Sequence, residues 1–189
     1  IGSFYQAPNS VHVTAASMLA PLFHAQFSPE INYGALGSIL SHEVMRAFIS
    51  NDEFPEGNGD VRERTTAIRW ASTDLSCYEN ASGNSSAKDA ELSLFLSDSM
   101  ASQALFSAYK VAASGSRIRV AGLEGFTGDQ LFFVSRCFYT CADEPHRRKA
   151  VSMEQRRCNF AVRNMPQFSR AFKCRKGAPM NPKQRCLSW

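Results

Sequence analysis

Several features that define other protein classes are missing from this sequence. No apolar stretch reaches the roughly 20 residues that a membrane-spanning helix needs, so no membrane span is predicted. No two cysteines have the CxxC spacing, which disfavours the zinc-ribbon and thioredoxin-like classes. Neither an internal repeat nor a domain-like linker is present, and 189 residues therefore predict one domain over residues 1–189. No signal peptide precedes Ile1, which we expect of a mature or processed form.

Acidic residues are scarce in the last third of the chain, where basic residues are frequent. The formal net charge is +4. No motif of a nucleic-acid reader accompanies the basic residues, so a solvated face is the simplest interpretation and no nucleic-acid partner is predicted. An anionic surface would still be attracted to this third. Its basic residues include Arg147, Arg148, Lys149, Arg156, Arg157, Arg163, Arg170, Lys173, Arg175 and Lys176.

The cysteines indicate an oxidising compartment. Their number is even, and five of six lie in the last third, which is typical of a disulfide framework. Two glycosylation sequons, at Asn80 and Asn84, fall in one Ser- and Gly-rich loop. Together these features predict a secreted, extracellular glycoprotein. The six cysteines are Cys77, Cys137, Cys141, Cys158, Cys174 and Cys186.

Hydrophobic patterning predicts a mainly α fold with a small β element. Two β-leaning runs, at residues 3–6 and 11–14, flank a turn-like tetrapeptide and predict a hairpin. Spacings of three and four between apolar residues predict helices elsewhere. The predicted helices cover residues 32–49, 61–78, 88–113, 129–141 and 166–173.

The pair His42-Glu43 on the helix at 32–49 has chemical meaning. In a gluzincin, His-Glu-x-x-His places two imidazoles four residues apart on one helix face, where both reach one zinc ion. The glutamate between them activates a metal-bound water. Here Arg46 occupies the position of the second histidine. On its own such a tetrapeptide occurs by chance and carries no weight.

The rest of the chain makes this pair significant, because the sequence resembles the C-terminal part of the neprilysin and endothelin-converting-enzyme family of zinc metallopeptidases. The resemblance covers essentially the whole length and implies a thermolysin-like (gluzincin) domain, mainly α with a small β element and disulfide-bonded. The family's large helical N-terminal part has no counterpart in this chain. The matching segments, in the family's order, are GSFY at 2–5, INYGALG at 31–37, QLFF at 130–133, FSRAFKC at 168–174, MNP at 180–182 and CLSW at 186–189.

The resemblance also implies which metal-site residues have changed. His42 and Glu43 match the first zinc ligand and the catalytic glutamate, whereas Arg46 replaces the second ligand. Leu94 stands at the third ligand's position, four residues before the matching Asp98. Zinc is therefore expected to be lost, with no other cofactor, and Arg46 is expected to pair with Glu43.

Substrate positions are altered as well. Gly2 and Ser3 replace the family's Asn-Ala, which holds the substrate backbone, and Val151 replaces the oxyanion-stabilising histidine. Arg157 matches the arginine that binds a substrate carbonyl or carboxylate. The expected function is that of an inactive pseudo-peptidase that binds an extracellular protein or peptide, or itself. Two alternatives stay open: an active zinc peptidase with an atypical site, and a C-terminal fragment of a larger neprilysin-like zinc metalloendopeptidase.

For the cysteines, the resemblance implies a Cys77–Cys186 disulfide. Cys141 and Cys174 match family cysteines whose partners lie in the N-terminal part, and no counterpart is recognised for the remaining two. Four cysteines allow three pairings. We expect internal bonds among them to replace the lost partners.

Overall fold

The computed structural model describes residues 2–5, 10–49, 77–78, 89–114, 120–141 and 153–186. Most of the helix predicted at 61–78 lies outside these residues, as do Asn80, Asn84 and Val151. Within the described part, no helix combines the length and hydrophobicity needed to cross a bilayer.

The described residues confirm a mainly α fold with a small β element. Strand β1 (Gly2–Tyr5) pairs antiparallel with β2 (Ser10–Val13), with Gly2 opposite Val13 and Tyr5 opposite Ser10, which is the predicted hairpin. A short 3-10 turn at Ala15–Met18 and a π-helical turn at Tyr33–Gly37 accompany the α-helices. These helices are α1 (Pro29–Asn32), α2 (Ser38–Ile49), α3 (Asp89–Ala112), α4 (Gly128–Phe138), α5 (Met153–Arg163) and α6 (Pro166–Ala171).

The helix predicted at 32–49 is longer than expected, because helical geometry continues from Pro29 through the π-turn into α2. Proline at the first helical position favours this start. Gly34 in the π-turn lies against α4, where an added Cβ would stand 2.5 Å from the backbone oxygen of Phe132. Only glycine permits this approach, and it places α4 beside the base of α2.

Helix α3 is the centre of the fold. It packs against both α2 and α5, and every residue from Phe95 to Ser102 is buried. A helix that is buried on all sides belongs to the protein interior. Two of its buried serines donate hydrogen bonds to backbone carbonyls one turn earlier in the same helix. The Ser97 hydroxyl donates to the Ser93 carbonyl at 2.8 Å, and the Ser102 hydroxyl donates to the Asp98 carbonyl.

Two apolar clusters along α3 form the core of the described part. Phe95, Leu96 and Met100 contribute to one, together with Phe160 of α5. Leu105, Phe106 and Tyr109 contribute to the other, where they meet α4 and α5. The second cluster is rich in rings and contains Leu105, Phe106, Tyr109, Phe132, Phe133, Cys158, Val162 and Met165.

Helices α4 and α5 show what patterning predicted and what it missed. Helix α4 was predicted, and it begins with a capping box in which Thr127 and Gln130 bond each other's backbone N–H groups. Helix α5 was not predicted. Four of its eleven residues are charged, and its buried face is short, formed by Cys158, Phe160, Ala161 and Val162.

The cysteines form two disulfides. Cys77 is bonded to Cys186 across 109 residues, the pair that the resemblance implies. Cys137 is bonded to Cys158, which ties the end of α4 to the middle of α5. Cys141 is an exposed free thiol and Cys174 a half-buried one. The expectation that all four remaining cysteines pair internally is therefore wrong for these two.

Candidate functional site

A buried carboxylate, Asp98 of α3, is the centre of the site. Arg157 of α5 donates from Nε to its Oδ2 at 2.7 Å. Nδ1 of His42 on α2 lies 2.9 Å from Oδ1, and Nη2 of Arg136 on α4 lies 3.9 Å from the same oxygen. The His42 contact is electrostatic rather than a well-aligned hydrogen bond, since Oδ1 has no bond of good geometry. One carboxylate thus joins four helices.

These neighbours determine the charge of Asp98. Burial raises the pKa of this carboxyl, but the contact with His42 and the positive charge of Arg136 outweigh burial, with a further contribution from Arg157. The pKa is lowered from 3.8 to about 2. Asp98 is therefore an anion at neutral pH and holds the surrounding cations in place.

Sequence reasoning missed Arg136. Its side chain is 2% exposed; Nε donates to Ser102 Oγ at 2.6 Å and Nη2 to the Asp98 carbonyl at 3.1 Å. A single cation inside the apolar segment DQLFFVSRCFYTC was the available signal, because a charge on a buried helix face needs a partner.

Tyr139 also belongs to this environment and was also missed. Burial is the main cause of a raised pKa at Tyr139, and the carboxylates of Asp98 and Glu43 contribute to it. The phenol therefore stays protonated at neutral pH and is a potential hydrogen-bond donor beside the cluster.

His42 is buried beneath the guanidinium of Arg157. Nη2 of Arg157 lies 3.4 Å from both Nδ1 and Nε2 of the imidazole. A neutral imidazole carries its lone pair on one of these nitrogens. Because Nη2 is equidistant from both ring nitrogens, it lies over the face of the imidazole, so the guanidinium covers the ring rather than bonding an in-plane lone pair.

Glu43 and Arg46 form an ion pair on α2, as the sequence predicts. Nη1 of Arg46 lies 3.3 Å from Oε2 of Glu43. The glutamate side chain is 10% exposed and the arginine side chain 43%, so the guanidinium lies at the surface over a nearly buried carboxylate. Arg46 is one turn beyond His42 on the same helix face, which is the position of a second ligand in His-Glu-x-x-His.

The remaining predicted positions surround this cluster. Leu94 is half-buried on α3, one turn before Asp98. Gly2 and Ser3 lie in β1, and both strands of the hairpin contact α2. The structure therefore places β1, which the resemblance likens to a substrate-binding strand, beside the helix that carries His42 and Glu43.

Two of the three positions that the resemblance assigns to zinc ligands carry side chains that cannot donate to a metal. Among the described residues, no group of three or more His, Cys, Asp or Glu side chains is arranged to hold a metal. The chemistry of the donors agrees, because the guanidinium of Arg46 has no lone pair to donate and the side chain of Leu94 has no polar atom.

The His-Glu helix packs against a buried helix and lies beside a β-hairpin, which agrees with the thermolysin-like domain that the resemblance implies. The profile of Peptidase family M13 matches residues 2–187. The chain belongs to Peptidase family M13, a family of neprilysin-like proteins that normally use zinc.

Relatives and solved structures agree with this assignment. The chain is 27% identical to Neprilysin-1 of Caenorhabditis elegans over 225 residues, covering 100% of this chain and 28% of that protein. It is 24% identical to bovine endothelin-converting enzyme 1, covering 100% of this chain and 27% of that protein. A cryo-EM structure of the zinc metalloprotease Zmp1 of Mycobacterium tuberculosis, in an open state, matches with a TM-score of 0.69 at 21% identity.

The Zmp1 match covers 100% of this chain and 33% of that chain, and at this identity it establishes the fold. The chain spans about a quarter of the length of the curated relatives it matches.

Proposed function

We propose that this chain is a non-catalytic member of the family, a pseudo-peptidase that acts outside the cell by binding a protein or peptide. The observation that carries the proposal is the Arg46–Glu43 ion pair at 3.3 Å. A catalytic glutamate of this class must be free to take a proton from a metal-bound water. Here its carboxylate is engaged with a guanidinium, at the helix position where a metal ligand would stand.

Charge balance supports this proposal. In an active site of this type, Zn²⁺ is neutralised by the ligand carboxylate and the catalytic carboxylate. With Leu94 in place of the ligand carboxylate, the single negative charge of Glu43 is matched by the single positive charge of Arg46. The guanidinium replaces the charge of the metal and repels a metal ion that approaches.

The test is the zinc content of the purified chain. After dialysis, elemental analysis is expected to find well under one zinc per chain, and a peptidase assay with added zinc is expected to find no cleavage. The double variant Arg46→His with Leu94→Glu is expected to bind zinc, because it restores two donors next to His42. Arg170→His with Leu123→Glu, at exposed positions elsewhere, is the matched control that is expected to stay zinc-free.

About one zinc per chain in the unmodified protein, together with peptide cleavage, would overturn the proposal. Val151 stands where the oxyanion histidine is expected, so the double variant is expected to bind zinc without regaining full activity.

A ligand with a carboxylate fits this cluster best. The guanidinium groups of Arg46 and Arg157 are the partly exposed cations of this cluster, whereas the carboxylate of Asp98 is buried. The Arg157 side chain is 17% exposed and is therefore accessible to a ligand. Binding of one peptide as the free acid and as the C-terminal amide tests this, with tighter binding expected for the acid. Equal affinities for the acid and the amide would show that Arg157 does not bind the terminal carboxylate of the peptide.

An apolar face on α2 supports protein binding or self-association. Val44 and Phe48 are 44% and 58% exposed, and they lie four residues apart on one helix face. The double variant Val44→Asp with Phe48→Asp is expected to abolish self-association in sedimentation experiments. Val111→Asp, at a site 78% exposed on α3, is the control. An unchanged sedimentation profile in the double variant would place the contact elsewhere.

A second candidate is that this chain forms the C-terminal portion of a longer neprilysin-like zinc metalloendopeptidase. The free thiols Cys141 and Cys174 favour it, because the resemblance pairs both with cysteines of the family's N-terminal part. Peptide mapping of the protein from its natural source under non-reducing conditions tests this candidate. Cys141 and Cys174 linked to peptides outside this sequence would support it, whereas free thiols on a chain of this length would contradict it.

A further inference from the structure

The end of the chain carries a basic face that the proposed site does not use. No acidic residue occurs after Glu154. Five exposed cations lie on α6 and the turns that follow it, and in the described part of the chain no ion pair links any of them to a carboxylate. This C-terminal basic face consists of Arg170, Lys173, Arg175, Lys176 and Lys183.

Backbone and side-chain hydrogen bonds fold this segment into a compact unit. Gly177 donates its N–H to the Asn181 carbonyl at 2.8 Å, and Asn181 Nδ2 donates to the Cys174 carbonyl at 2.7 Å. The φ of Gly177 is +87°, and Cε of Lys183 lies 3.8 Å from where a Cβ on Gly177 would be. The side chain of Lys183 therefore lies against Gly177, which directly follows Lys176 in the sequence.

Helix electrostatics explain only part of this face. Arg170 lies in the last turn of α6 and Lys173 just beyond it, where cations interact favourably with the helix dipole. Arg175, Lys176 and Lys183 lie outside that turn, and the described structure offers them no intramolecular partner of opposite charge.

The backbone conformation at Lys173 indicates that the fold does not require a lysine at this position. The Cys174 N–H bonds the Ser169 carbonyl at 2.9 Å and the Lys173 N–H bonds the Arg170 carbonyl at 3.3 Å, which is a Schellman motif. Lys173 has a φ of 52° at the position where glycine is favoured. A lysine there costs about 1 kcal/mol relative to a residue without a Cβ.

Apolar and aromatic groups near the face point inward. Phe168, Phe172 and Met180 pack against the ring-rich cluster, and the ring of Phe168 meets that of Phe133 edge-on at 5.3 Å. Rings held in this way are not free to stack on nucleotide bases. No exposed large apolar side chain occurs among described residues 166–186 to enter a lipid bilayer. The C-terminal basic face thus presents positive charge, without free rings to stack on bases and without apolar side chains to enter a bilayer.

We propose that the C-terminal basic face binds a sulfated polysaccharide. Such a chain presents closely spaced anionic groups with neither bases nor acyl chains, and both guanidinium and ammonium groups bind sulfate by charge-assisted hydrogen bonds. The choice of a polysaccharide rests on the extracellular setting of the proposed function. The site itself is independent of the His42–Glu43 cluster.

Heparin is the probe, and binding of the intact chain is measured by titration at several salt concentrations. If all five cations take part, the slope of log K against log salt is about −4 by the counterion-release relation known for nucleic acids. Affinity then falls roughly 100-fold or more between about 50 and 200 mM salt. Hyaluronan (which carries carboxylates without sulfate), duplex DNA and phosphatidylserine vesicles are the competing probes, and weaker binding is expected for each.

The chain offers a matched control, because three of its six lysines lie on the basic face and three elsewhere. The variant Lys173→Gln, Lys176→Gln, Lys183→Gln is expected to reduce the salt slope to about −2 and to lose at least tenfold in affinity. The variant Lys88→Gln, Lys110→Gln, Lys149→Gln removes the same net charge and is expected to bind like the unmodified chain.

Failure to bind heparin near physiological salt, equal losses in both triple variants, or tighter binding of DNA or vesicles would each overturn the inference. Zinc content is measured on the same samples. One zinc per chain together with peptide cleavage, with heparin binding retained, would overturn the proposed function alone. A zinc-free chain that does not bind heparin would overturn this inference alone.

Discussion

Replacing Asp98 by asparagine tests the central claim about the site, namely that one buried carboxylate holds three cationic or ionisable side chains. Asparagine keeps the shape and removes the charge. Arg136, whose side chain is 2% exposed, would then be a buried cation beside a neutral amide. Removing one partner of a buried ion pair typically costs about 3–5 kcal/mol. We therefore expect Asp98→Asn to lower the free energy of unfolding by about 3 kcal/mol or more, measured by denaturant titration.

The loss of stability at acid pH is a second test of the interactions of Asp98. The pKa of Asp98 is lowered from 3.8 to about 2 in the folded chain, which corresponds to about 2 kcal/mol. Because the folded-state pKa is the lower one, this stability is fully present above pH 3.8 and is lost as the pH falls towards 2. Over this pH range the free energy of unfolding of the unmodified chain should fall by about 2 kcal/mol. The Asp98→Asn variant lacks this carboxyl and should not show that loss.

The matched control is Asp129→Asn. Asp129 pairs with Lys110 at 2.9 Å, but the two side chains are 35% and 52% exposed. An exposed pair of this kind contributes about 1 kcal/mol or less. A cost of under about 1 kcal/mol for Asp98→Asn, or the same acid sensitivity in Asp98→Asn and the unmodified chain, would refute the reasoning.

Two further predictions concern how the fold is held together. Gly34→Ala should cost about 2 kcal/mol or more, because its Cβ would stand 2.5 Å from a backbone oxygen. Gly125→Ala, with no atom within 4 Å, should leave the melting temperature nearly unchanged, and equal melting of the two variants would contradict the packing argument. For the disulfides, Cys77→Ser with Cys186→Ser should cost about 5 kcal/mol and Cys137→Ser with Cys158→Ser about 3 kcal/mol, since the closed loops differ in length. A larger loss for the shorter loop in denaturant titration would argue that local packing, not loop length, sets the contribution.

The sequence was informative where neighbouring residues carry the signal. The hairpin, the helix that carries His42 and Glu43, the central α3 and the capped α4 were predicted at nearly their observed positions. Each depends on spacing within a few residues or on turn and capping residues. The Arg46–Glu43 pair was predicted for the same reason, because residues three apart share a helix face.

Helix α5 escaped prediction because its apolar face is short and four of its eleven residues are charged. Its importance lies in tertiary contacts: Cys158 is bonded to Cys137, and the adjacent Arg157 reaches Asp98. In a charge-rich segment such as α5, a charged residue gives no sequence signal that it will be buried, since a solvated helix surface has the same composition.

By itself the sequence determined the family and most of the helical elements, and it placed Arg46 and Leu94 at positions that the resemblance assigns to zinc ligands, because these are properties of residue identity, order and local spacing. Only the tertiary structure decided that Asp98 is the common partner of His42, Arg136 and Arg157, and that Cys141 and Cys174 do not pair with another cysteine of this chain. Asp98 and Arg157 are 59 residues apart. Contacts at such separations depend on how the helices pack, and packing follows from the shape of the whole buried surface rather than from any local pattern.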